Sequence, residues 1–140
     1  MTLAHRPGPR GWLLLPAAVL VVSGLAAGCS STPAYCTAAS QLKSSVHNLG
    51  DVNVAKNGLG SLQTALDSVT SNAKTFAADA KSAFPSQTTA LNTSVSGLET
   101  AIKSAQGQPP LTAATAVGSS VSQVKTSATN LQNAVSGKCQ

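Results

Sequence analysis

Apolar residues recur at steps of three and four along most of this chain, and that period dictates helices. Tyr35, Ala39, Leu42, Val46 and Leu49 form one stripe. Leu59, Leu62, Leu66, Val69, Ala73, Phe76, Ala80 and Ala83 form a second. Leu91, Val95, Leu98, Ile102 and Ala105 form a third, and Val117, Val121, Val124, Ala128, Leu131 and Val135 a fourth. Residues so spaced share one face of a helix, and heptad-like faces are buried by packing helices side by side.

The punctuation agrees with the stripes. Thr32 before Pro33 suits a cap followed by proline at the first helical position. "NLGDVNVAKNGLG", Asn48 to Gly60, separates the first stripe from the second, and "NGLG" reads as a glycine-rich helix start. "QGQPP", Gln106 to Pro110, separates the third from the fourth, and Gly137 falls near the end of the last. Glu99 and Lys103 are expected to pair across one helical turn. Pro85 is ambiguous, because the phase slips from Ala80 through Phe84 and Thr88 to Leu91. A kinked continuous helix and two separate helices both accommodate that slip.

Residues 1–28 have another character. Arg6, Arg10 and His5 make a basic start, and Trp12 to Ala27 is an uncharged apolar run of 16 residues containing Pro16. A spanning helix needs about 20 residues. A basic start, a short apolar run and small residues at its end describe a secretory signal. The alternative is an uncleaved membrane anchor.

The residues Leu25, Ala26, Ala27 and Gly28 before Cys29 resemble the lipobox of bacterial lipoproteins, with Leu one place earlier than usual. The resemblance implies a signal peptidase that recognises Leu25–Gly28 and cleaves before Cys29. It also implies a diacylglyceryl group on the Cys29 sulfur, with palmitate among the acyl chains. Small side chains suit a peptidase working at the membrane surface, and a thiol is soft enough to form the thioether. Several acyl chains hold a protein firmly where one alone is marginal. The alternative is plain secretion with a free Cys29 thiol. Residues 1–28 are then a cleaved signal, 29–32 a lipidated tether and 33–140 the folded domain, anchored on the extracytoplasmic face of the cell membrane.

With Cys29 lipidated, Cys36 and Cys139 remain, and an even pair in an exported protein is most simply a disulfide. That pair also resolves Pro85. Up-and-down helices alternate direction, so the first start and the last end meet only when the number of helices is even. A disulfide needs Cα atoms within about 7 Å. The expected fold is therefore all-α, an antiparallel up-and-down four-helix bundle with helices near 33–49, 54–83, 85–105 and 111–137, closed by the disulfide.

Such a bundle has a thin core. Leu, Val, Ile and Phe make up 21 of the 111 residues from Ser30 onward, near the range where disorder begins. Alanine fills many seam positions, which favours close helix approach and little burial per residue. The disulfide is expected to contribute heavily to stability.

Charge narrows the functional classes. Removing the signal lowers the formal charge from +5 to +3, with seven scattered lysines against Asp51, Asp67, Asp79 and Glu99. Tyr35, Phe76 and Phe84 are the remaining aromatics. Clustered charge and stacking rings, which nucleic-acid binding uses, are both missing. His47 is the one histidine after the signal, without Cys-x-x-Cys or His-x-x-x-His spacing, so no metal or other cofactor is expected. Asp67 and Asp79 do not share a helix face well, and the sequence contains no Gly-x-Ser-x-Gly elbow. "NGLG" lacks the Gly-Lys-Ser/Thr of a phosphate loop. The chain is expected to have no catalytic role.

Two binding roles remain. One is a structural or interaction module whose Ser/Thr/Asn-rich faces touch an envelope protein or a cell-wall polymer. The other is a carrier or sensor holding a small apolar ligand between the helices, which the alanine seams disfavour. "AAGCSSTPAYC" and the terminal "SGKCQ" also resemble small Ala/Ser/Thr-rich lipoproteins of high-GC Gram-positive (actinobacterial) cell envelopes. That resemblance implies a compartment and no activity.

Overall fold

The structure is a computed structural model and describes residues 32–140. The signal, its recognition residues Leu25–Gly28 and the lipidation candidate Cys29 lie outside the described residues. Four helices follow one another: α1 (Ala34–Gly50), α2 (Val54–Ala80), α3 (Pro85–Ala105) and α4 (Pro110–Ser136). They match the expected four helices, with shifts at several ends that have local causes.

Helix α1 starts one residue later than the Thr32 cap implied. Pro33 itself is the cap, with φ −53° and ψ 142°. Its carbonyl accepts from the Cys36 N–H at 2.9 Å, while its ring offers no side-chain cap. A fixed φ and a free carbonyl are sufficient for that position, because proline's missing N–H would go unused there.

Helix α2 is capped by Asn53, whose Oδ1 accepts from the Lys56 N–H at 3.0 Å. Its first turn is set off from the rest at Gly58, where φ is 75° and ψ 171°. Only glycine adopts that backbone without a Cβ penalty. The helix thus opens with a single turn, Val54–Asn57, and bends within "NGLG" into the long segment. Val54 is buried in that turn.

The largest departure is at the end of α2, which stops at Ala80 rather than at residue 83. Pro85 pushes its predecessor out of the helical region, and Phe84 sits at φ −134°, ψ 55°. The chain therefore leaves the helix early, with the Ala83 and Phe84 N–H groups both donating to the Ala80 carbonyl at 3.0 and 2.9 Å. Ala83, the last member of the second stripe, is consequently exposed. Proline also opens α3 and α4, at Pro85 and Pro110, where its missing N–H costs nothing. Gly107, at φ 80°, turns the chain between them.

The four stripes meet in one core. Leu42, Leu62, Leu66, Phe76, Leu91, Leu98, Ile102 and Leu131 are all fully buried there. Tyr35, Leu59 and Val121 pack against its edge. Helix α1 packs on α2 and α4, α3 packs on the same two, and α2 touches α4 across the centre. The buried positions of α4 are mostly small, Ala113, Val117, Val124 and Ala128 among them, which lets that diagonal close. At one end of the bundle Phe84 fills the gap left by the early end of α2. Its ring lies edge-on to Tyr35 (centroids 5.5 Å apart) and tilted to Phe76 (6.3 Å).

Candidate functional site

The cysteines are the predicted site residues that the fold brings together. Cys36 lies in the first turn of α1 and Cys139 just beyond α4. They form a disulfide with Cα atoms 5.8 Å apart. Buried Cys36 faces the half-exposed Cys139 at the end of the bundle that also carries Tyr35 and Phe84.

Among the remaining polar candidates, His47 and Asp51 approach each other. His47 Nε2 lies 3.2 Å from Asp51 Oδ2 across the last turn of α1, with both side chains largely in solvent. Among the described residues this is the one contact between a basic and an acidic side chain within 4.0 Å. The expected Glu99–Lys103 pair does not form, because an exposed pair returns little for immobilising two long side chains. Asp67 instead accepts from Gln63 Nε2 at 3.0 Å. No three His, Cys, Asp or Glu side chains converge among the described residues.

Serine and threonine hydroxyls mostly turn back onto their own helices. Thr64, Thr93, Thr100, Thr115, Ser122 and Thr126 each donate to the carbonyl four residues earlier, at 3.0–3.1 Å. Such hydroxyls keep free lone pairs and act outward as acceptors. At the α3–α4 interface Ser94, which also donates to the Ala90 carbonyl at 2.9 Å, shares a hydrogen bond of 2.6 Å with Ser127.

Open clefts run between neighbouring helices. The one between α1 and α4 has two adjoining sections, of about 490 and 450 Å³. Lys43 lines both sections, and Lys125 and His47 line the first. Val46 and Ala128 form part of its floor, and Asn48, Thr129 and Gln132 part of its walls. No carboxylate lines either section. The α2–α3 cleft sets Lys74 against Glu99, and the α3–α4 cleft is uncharged. The cleft beside the α1–α2 connection carries Asp51 as its charged residue.

The lysine-bearing α1–α4 groove was not legible in the sequence. Lys43 and Lys125 belong to different helices, and nothing in either neighbourhood announces the other. Knowing that the first and last helices are neighbours, from the disulfide, would have been the one available signal. No protein family, no curated protein and no solved structure matches this chain.

Proposed function

We propose that this chain is a lipid-anchored extracytoplasmic lipoprotein whose four-helix bundle serves as a structural or interaction module, without catalysis. The observation that carries the reading is the arithmetic of three cysteines. Cys36 and Cys139 bond to each other, which leaves Cys29, behind Leu25-Ala26-Ala27-Gly28, with no cysteine of this chain to pair with. An exported protein seldom keeps such a thiol free. Acylation at Cys29 gives it a use and places the bundle a few residues from the membrane. No described helix is long and apolar enough to cross a membrane. Attachment by acyl chains supplies what those helices do not.

The partner on this reading is an envelope protein or a cell-wall polymer. A carrier of small apolar ligands is the weaker reading, because the central side chains are fully buried and leave the open space between helices at the surface.

The full chain, expressed in a bacterial host fed an alkyne analogue of palmitate, tests the anchor. The wild type should take up label, fractionate with membranes and yield a mature N-terminus at Cys29. Cys29→Ser should carry no label and leave the membrane fraction. An unlipidated wild type, or a labelled Cys29→Ser, overturns the proposal.

A further inference from the structure

The groove between α1 and α4 has a chemistry that the other clefts lack. It is lined by cations with no carboxylate among them. His47 Nε2 lies 3.2 Å from Asp51 Oδ2, so the cations of the groove without an acidic partner are Lys43 and Lys125. Lys125 lies against the end of α1. Its Cδ, Cε and Nζ are 3.3–3.4 Å from where a Cβ on Gly50 would be. Both lysine side chains are exposed to solvent.

The uncharged lining adds a second requirement. Ser40, Ser44 and Thr129 already donate their hydroxyl protons to helix carbonyls at 3.2, 3.3 and 2.9 Å. Their oxygens therefore face the groove as acceptors, which suit a ligand rich in hydroxyl donors. Gln132 lines both sections with an amide that donates and accepts. The floor of Ala39, Val46, Ala128 and Val135 is a narrow apolar strip. The groove follows α1 from Cys36 to Asn48, about 18 Å at 1.5 Å per residue, so it fits an extended ligand better than a compact one.

We propose that the α1–α4 groove binds an acidic polysaccharide, an extended sugar chain bearing carboxylate or phosphate groups. The lysines take the anionic groups, the hydroxyl and amide acceptors take sugar hydroxyls, and the apolar floor takes the C–H faces of the rings. The proposal rests on the extracytoplasmic reading above for where such a chain is met, and it names the polymer that reading leaves open.

The test uses the full chain, purified in detergent from the whole lysate of its expression host, with lipid on Cys29 scored separately by mass spectrometry. Binding is thereby read whether or not the anchor is present. The probes are polygalacturonate, phosphomannan, neutral dextran and poly-L-glutamate, titrated calorimetrically. Polygalacturonate or phosphomannan should bind, more weakly as salt rises, and dextran and poly-L-glutamate should bind at least tenfold more weakly. Whichever acidic glycan binds tells carboxylate from phosphate recognition. Lys43→Gln with Lys125→Gln should weaken binding by about tenfold or more, two exposed charge contacts being at stake. Lys56→Gln with Lys103→Gln, outside the groove, should change it by less than about twofold. Circular dichroism of both double variants should match the wild type. Equal losses in the two double variants, equal binding of poly-L-glutamate, or no binding of either acidic glycan would overturn the proposal.

Discussion

The sulfurs of Cys36 and Cys139 join the first turn of α1 to the residues just past α4, with Cα atoms 5.8 Å apart. The bond spans 103 positions of sequence, nearly all of the described chain. It ties together the first and last helices, which pack on each other without a connecting loop.

Cutting that bond should therefore cost more stability than any single surface change. A loop of this size is worth about 4–5 kcal/mol in chain-entropy terms. For a domain of this length that corresponds to a fall in Tm of roughly 15 °C. Circular dichroism melts of Cys139→Ser, and of the wild type with and without reductant, should agree on the shift. A melting curve indifferent to reductant would show that the helices hold without the bond.

Phe84 is the second closure at the same end. It is not in a helix, yet it is buried against Tyr35 and Phe76. Phe84→Ala should destabilise by about 3 kcal/mol, at the lower end for a phenylalanine because the end of the bundle relaxes more easily than its middle. Phe84→Leu should cost about half as much. Chemical denaturation at constant slope reads both; a loss below that of a surface alanine would mean the ring is dispensable.

Two glycines in one helix should respond with opposite signs. Gly58 has φ 75° and open space around it, whereas Gly60 has ordinary helical backbone and equally open space. Gly58→Ala should destabilise by about 1 kcal/mol, since a Cβ opposes that backbone without clashing with any neighbour. Gly60→Ala should stabilise by about 0.5–1 kcal/mol through helix propensity. If both substitutions move Tm the same way, the bend at Gly58 is not maintained in solution.

Thr88 is buried at 6% exposure, and its Oγ1 has no hydrogen-bond partner. Replacing the hydroxyl with a methyl keeps the shape and removes an unsatisfied polar atom. Thr88→Val should raise stability by about 1 kcal/mol. Ser45 is buried to a similar degree, but its Oγ donates to the Leu42 carbonyl at 2.9 Å. Ser45→Ala should not give that gain. Equal responses of the two variants would mean that Thr88 finds a partner in solution.

Helix order and most boundaries were readable from the spacing of leucine, valine and alanine, because a buried stripe must repeat with the helix, and the number of helices from the pairing of Cys36 with Cys139. The stripes also named most of the core. They failed at Ala83, where the period continues but the backbone does not. The steric demand of Pro85 on Phe84 acts over a few residues and overrides periodicity, so the helix ended before its pattern did. Charge spacing failed at Glu99 and Lys103, since correct spacing only permits an exposed ion pair and does not supply the energy to hold it.

The sequence by itself determined the helices, their even number once Cys36 and Cys139 were paired, and the expectation that Cys29 serves a different purpose. These rest on local chemistry: periodicity, proline and glycine stereochemistry, and the residues flanking a thiol. The tertiary structure alone decided that α2 and α4 meet across the centre, and that Lys43 and Lys125 line one groove without a carboxylate between them. Those relationships join residues far apart in the chain. They follow from the relative bulk of buried side chains on four helices at once, which no single stretch of sequence carries.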